Sequence, residues 1–207
     1  MIIALDRKAS ECTEPGLIQL RTPLTGYAKG ENQRWVMDNG AYSNFYEHRF
    51  LRMAMDGMFD LNCEWIAMPD VVGNHQETLE LFNTWTARLG ASYIPLRDHY
   101  KKWAFVIQDG ATIETIPWDE IVAVFLGGTT RFKMSREAYR ILQHARAIGK
   151  WVHVGRVNTE GRISYFYGVA DSIDGSGIAR YDYMLTRAQI VIRSLQNTRQ
   201  KYLEEYN

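Results

Sequence analysis

Residues 151–182 read WVHVGRVNTEGRISYFYGVADSIDGSGIARYD, and their sequence of apolar, polar and small residues is that of one strand-helix-strand unit. Trp151 to Val154 is a short apolar strand ended by Gly155. Thr159 then caps a helix running to about Tyr167, and Ser172-Ile173 is a second strand leading into Asp174-Gly175-Ser176-Gly177. A carboxylate at a strand end, followed at once by small residues, is both accessible and firmly based. That suits a group that attacks a substrate better than one in a surface ion pair. Asp171 lies three residues earlier, and of the two it reads as the structural one.

The same grammar extends outward along the chain. Strands are expected at 2–5, 17–20, 35–38, 64–68, 103–107, 121–126, 151–154 and 171–173. Helical spacing of apolar residues covers Phe45–Met58 and His75–Leu89, a third helix runs from an N-cap at Ser135 to near Gly149, and a last one spans Tyr183 to about Tyr202. Leu185, Ile190, Val191 and Leu195 are expected to face inward on that last helix. Ser92 to Leu96 looks strand-like, but Pro95 removes a ladder donor and reduces it to an edge or connector. Short apolar strands alternating with helices argue for an α/β fold with a parallel sheet. Eight of them predict a compact (β/α)8 TIM-type barrel, with an open doubly wound sheet as the alternative. At 207 residues the chain is close to the lower limit of about 200 for such barrels. Some helices must therefore be short or missing, notably between Gly110 and Ile121. No linker or repeat divides residues 1–207, so a single domain is expected.

Composition narrows the function classes. No apolar run approaches the roughly 18 residues of a membrane span, and the apolar part of the N-terminus is too short for a signal peptide. A cytoplasmic protein with no membrane partner is expected. Cys12 and Cys63, the only cysteines, cannot make a four-thiolate zinc site and read as reduced thiols, Cys63 in or near a buried strand. The five histidines fit no ligand spacing and read as core or surface residues, so neither metal nor cofactor is expected. Net charge is zero, yet residues 1–126 carry 11 Lys+Arg against 17 Asp+Glu while residues 127–207 carry 13 against 7. A basic face from the C-terminal half suits a polyanion.

In a parallel barrel, reactive groups stand at the C-terminal ends of strands. Here those ends are Asp38-Asn39-Gly40-Ala41-Tyr42, Pro69-Asp70, Gln108-Asp109-Gly110, Gly127-Gly128, Gly155 and Asp174. Asp70 and Gln108 together offer acceptors and donors to the edge of a planar heterocycle such as guanine. Gly127 and Gly128 let backbone approach a ligand closely, and Tyr42 can stack on a base. Asp38 and Asp174 remain, enough for an acid/base and a nucleophile in glycosidic-bond chemistry. Asp38, Asp70 and Gln108 also have plainer readings as turn or cap residues. No P-loop, dinucleotide fingerprint or nucleophile elbow is present.

From Trp35 to Asp182 these motifs, in this order, resemble the tRNA-guanine transglycosylase superfamily, and most closely its short phage-type members related to DpdA, which insert 7-deazaguanine bases into DNA. VMDNGAY resembles the motif whose Asp is the general acid/base and whose aromatic ring stacks on the base, implying those roles for Asp38 and Tyr42. AMPD, FVIQDG and FLGG are similar to the family's base-gripping strand ends, implying base contacts for Asp70, Gln108, Gly127 and Gly128. VHVGRVNTEGRISYFYGVADSIDG follows the pattern whose second Asp is the nucleophile, which implies Asp174 and not Asp171. The tRNA-modifying members carry a three-Cys, one-His zinc site after the nucleophile strand. Nothing similar follows Asp174 here, which favours DNA over tRNA as partner. The resemblance implies exchange of guanine in DNA for a free base such as 7-cyano-7-deazaguanine. Arg131, Lys133, Arg156 and Arg180 are the candidate phosphate contacts. A nucleoside or nucleobase N-glycoside hydrolase, and a non-catalytic nucleic-acid-binding accessory protein, are the alternatives.

Overall fold

The computed structural model describes residues 1–41, 45–91 and 101–206. Eight parallel strands close in sequential order into a barrel: β1 Ile2–Leu5, β2 Leu17–Arg21, β3 Trp35–Met37, β4 Cys63–Ala67, β5 Trp103–Ile107, β6 Ala123–Leu126, β7 Trp151–Val154 and β8 Ser172–Asp174. The barrel seam is β1 against β8, with Ala4 opposite Asp174. The open-sheet alternative is thereby excluded.

The helices are α1 Glu47–Phe59, α2 His75–Ala91, α3 Thr130–Lys133, α4 Arg136–Ala147, α5 Glu160–Phe166, α6 Ser176–Arg180 and α7 Asp182–Tyr206. Economy of length appears where the sequence placed it. Between β5 and β6 there are only two 3-10 turns, at Ile113–Thr115 and Trp118–Glu120, and a third, Ala9–Glu11, is the only helical piece before β3 among the described residues. Caps end the helices as their sequences require: Ser135 Oγ accepts the Ala138 N–H at 3.1 Å and Thr129 Oγ1 that of Phe132 at 3.2 Å. The segment Ser92–Leu96 falls outside the described residues.

Period-two alternation sorts the strand residues into two cores. Ile3, Leu5, Met37, Phe105, Val124, Val152 and Ile173 pack outward under the helices. Ala4, Leu20, Val36, Trp65, Ala67, Ala104, Val106 and Ala123 fill the barrel with Phe125 and Trp151. Four inward alanines make room for the inward Trp65 and Trp151, the volume balance that a small barrel needs. The same alternation turns His153, Ser172 and Asp174 inward.

Two expectations are corrected. The last helix begins a residue earlier and runs further than Tyr183–Tyr202, and the separate turn of α6 precedes it. Its buried stripe is Ala188 and Ile192, with Leu185, Val191 and Leu195 half-buried, whereas Ile190 is 59% exposed. α7 packs against α5 and α6, whose faces select the Ala188–Ile192 side. Among the described residues no helix is long and apolar enough to cross a membrane. Cys12 and Cys63 are both buried free thiols, Cys63 opening β4.

Candidate active site

The C-terminal strand ends open into two adjoining cavities. A wide cleft of about 740 Å³ lies over β1, β2, β3 and β8, bordered by Asp6, Thr25, Tyr27, Ser176 and Arg180. A recess of about 80 Å³ lies over β4, β5 and β6 and is lined by Asn39, Asp70, Gln108, Gly127 and Gly128. Asp38, Arg156 and Asp174 line both and so stand at their junction.

Asp38 follows β3, with its Oδ1 accepting the Gly40 N–H at 3.0 Å. Gly40 has φ +74°, which makes this tight Asp-Asn-Gly turn possible. Burial pushes the Asp38 carboxyl up to about 7; the Gly40 bond offsets part of this, and the negative charges of Asp174 and Asp70 add to it. Asp174 is the opposite case. Burial raises it too, but the His153 ring hydrogen bond, the Arg156 N–H and the Lys133 charge outweigh that and hold it below the ordinary carboxylate value. Its Oδ1 accepts the Arg156 N–H at 3.0 Å and its Oδ2 lies 3.0 Å from His153 Nε2. Arg156 presents that N–H from a left-handed conformation, φ +59°. For a non-glycine residue this costs on the order of 1 kcal/mol, strain of the kind that collects at functional sites. Gly155 just before it has no room for a side chain: a Cβ would lie 2.7 Å from Phe125 Cε1.

The recess is a connected polar network. Asp70 Oδ1 accepts Asn39 Nδ2 at 2.7 Å and Oδ2 accepts Gln108 Nε2 at 2.6 Å. Burial nonetheless raises the Asp70 carboxyl above its ordinary value, against those two bonds and the Arg156 charge. Gln108 is 1% exposed, and its Oε1 accepts the Gly73 N–H at 2.8 Å. Asn39 Nδ2 also donates to Met68 O at 2.7 Å, tying β3 to β4. Two side-chain amides therefore each engage one oxygen of Asp70. Gly127 closes over this network, and a Cβ there would sit 2.6 Å from Gln108 Nε2. Gly128, φ +75°, is fixed by Asp109, which accepts the Thr129 N–H at 2.7 Å and the Thr129 hydroxyl at 2.6 Å.

Asp38, Asp70, Gln108, Gly127, Gly128, Arg156 and Asp174 therefore converge, while Tyr42 falls outside the described residues. Asp171 sits at the opposite end of β8, where its Oδ2 accepts the Val152 N–H at 2.9 Å and its Oδ1 faces Arg146 at 3.3 Å; it is a structural brace. The expected phosphate contacts divide. Arg131 and Arg180 are exposed at the rim. Arg156 is half-buried, with Nη2 donating to Gly128 O at 2.5 Å. Lys133 is corrected: the short α3 turns it inward, it is 7% exposed, and its Nζ donates to Gly155 O at 2.5 Å. Burial, then the nearby Arg156 charge, lower its ammonium to about 8.

Four contributors escaped the sequence reading: Asn39, Asp109, Ser172 and His153. Asn39 and Asp109 were visible as neighbours of chosen residues inside short motifs. Ser172 and His153 stand opposite one another across β7 and β8, two residues before Asp174 and on the adjacent strand. The chain matches no family model, no curated protein and no solved structure, so its functional reading rests on these residues and their geometry.

Proposed function

We propose that the chain is a base-exchange transglycosylase that replaces guanine in DNA with a 7-deazaguanine through an aspartyl-glycosyl intermediate. One observation carries the reading: two carboxylates at the junction of cleft and recess have proton affinities pushed apart, Asp38 up to about 7 and Asp174 below the ordinary value. Such a pair divides the work into an acid and a nucleophile.

Asp174 attacks C1′ of the target deoxyguanosine. The C1′–N9 bond breaks, its electron pair goes to the purine, and the proton of Asp38 neutralises the leaving guanine. The products are a glycosyl ester on Asp174, free guanine and an ionised Asp38. An incoming deazaguanine then gives its N9 proton to Asp38 and attacks C1′, and the ester's C–O electron pair returns to Asp174. No external proton donor is consumed. The recess takes the base, with Asp70 and Gln108 at its edge and the Gly127-Gly128 backbone beside it; the stacking role of Tyr42 rests on the sequence resemblance alone. The sugar lies at the junction, and Arg131, Arg156 and Arg180 flank the phosphates. The target nucleotide must leave the helical stack, at a cost of a few kcal/mol.

Mass spectrometry of nucleosides from DNA incubated with the protein and candidate deazaguanines tests this directly, with modified deoxynucleoside as the expected product. Asp174→Asn should lower incorporation by roughly 10³-fold or more and form no covalent adduct. Incorporation at the wild-type rate by that variant would sink the mechanism. Abasic sites without incorporation would make the protein a hydrolase.

A further inference from the structure

Behind Asp174 a continuous chain of hydrogen bonds runs into the barrel interior. Trp151 Nε1 donates to Ser172 Oγ at 2.7 Å, Ser172 Oγ lies 2.8 Å from His153 Nδ1, and His153 Nε2 lies 3.0 Å from Asp174 Oδ2. An indole N–H is a donor only, so Ser172 Oγ accepts from it and its own proton is left for His153. Nδ1 therefore accepts, and the proton of a neutral ring sits on Nε2, facing the carboxylate. With the other tautomer, two donors would converge on Ser172 Oγ and a lone pair would face a carboxylate oxygen. The ring is fully buried, with Trp65 at 4.9 Å and Phe125 at 4.6 Å between ring centroids.

Serine, histidine and aspartate in one chain also suggest a serine nucleophile, and accessibility excludes it. Ser172 is 0% exposed and lines neither cavity, whereas Asp174 is 14% exposed and lines both. The reactive end of the chain is the carboxylate.

We propose that His153 is a positioning residue for Asp174, locked by Ser172 in its neutral Nε2–H tautomer so that one uncharged N–H fixes the orientation of the attacking carboxylate. The chemical role of Asp174 rests on the proposed function; the tautomer and the bond do not. Several charges also face Asp174. Lys133 on α3 favours its ionised form, and the Arg156 N–H after β7 holds Oδ1. The carboxylates of Asp38 after β3 and Asp6 after β1 oppose it.

Nitrogen-15 NMR of histidine-labelled protein tests the tautomer without any turnover. The expected result at about pH 8 is a His153 ring protonated at Nε2, and in Ser172→Ala a mixed tautomer. A proton on Nδ1 at that pH would overturn the proposal. The kinetic arm uses His153→Leu, expected to lower kcat roughly 10- to 100-fold with little change in KM and to move the acid limb of the rate to higher pH. His153→Gln, which keeps an N–H donor, should recover most of the rate. An unmoved acid limb in folded His153→Leu would equally overturn it, and Ser172→Ala supplies the same readout if the leucine variant does not fold. Wild-type protein that shows the Nε2–H tautomer but no base exchange would refute the function and leave the bond intact.

Discussion

Asp38 is the residue where stability and chemistry conflict most directly. Its carboxyl is raised to about 7 in the folded protein, mainly by burial, against roughly 3.9 in an unfolded chain. Between those values the folded state holds a proton that the unfolded state has released. Stability therefore falls as pH rises from about 4 to about 7 and is flat above that. Asp38→Asn keeps an oxygen for the Gly40 N–H and has no charge to bury. It should be more stable than wild type at pH 8 by something on the order of 2 kcal/mol, with the difference vanishing near pH 4, as chemical denaturation at the two pH values would show. In the proposed mechanism the same proton goes to the leaving guanine. Release of labelled guanine in a single turnover should accordingly decline as pH rises through about 7, and the asparagine variant should lose most of that rate at every pH. A variant that is less stable at pH 8, or a wild-type rate that climbs through pH 7, would remove Asp38 from the acid role.

Among the elements, the β6 end shows how closely backbone and side chains share space. Gly127→Ala would place a methyl 2.6 Å from Gln108 Nε2, displacing the amide from Asp70. We expect roughly a 10-fold rise in KM for the incoming base and a lowered Tm. Gly161→Ala, within α5 and with nothing within 4 Å, should leave KM alone and stabilise the helix by up to about 1 kcal/mol. Equal KM values for the two variants would mean that Gln108 does not shape the base seat. The strand ends carrying these residues were legible in the sequence because each strand is a short apolar run closed by Asp, Gln or Gly. α6 was not, since Gly175-Ser176-Gly177 has the composition of a turn, and its helical state depends on packing. The phase of α7 was missed for a related reason: Ala188 is small enough to lie against a neighbouring helix, so the larger Ile190 was placed inward on hydrophobicity alone. His153 read as a core or surface residue, and it is a core one. Its bond to Asp174 arises from the register of β7 with β8, and a cross-strand pairing leaves no mark in linear spacing.

Over the whole molecule, the charge split becomes a polarity around the barrel mouth. Asp6 and Glu11 border the cleft on the β1 side, Glu11 paired with Arg7, while exposed Arg131 follows β6 and exposed Arg180 follows β8; Arg199 lies at the opposite end of the barrel, beside Met1 and Asp171. On the proposed function, a nucleic-acid backbone approaching Asp174 would be drawn to the β6–β8 side. Each phosphate neutralised by a cation releases counterions, so log Kd should change with log salt by about 0.7 per contact on a single strand and about 0.9 on a duplex. Arg131→Ala combined with Arg180→Ala should reduce that slope by about 1.4 to 1.8 and weaken binding across unrelated sequences alike. Lys133→Met supplies the contrast. Its ammonium is bonded to Gly155 O inside the fold, so its loss should lower Tm and leave the salt slope unchanged. If the slope follows Lys133 and ignores the two arginines, the polyanion lies on another face, and the basic half of the chain is a solvated surface with no part in substrate binding.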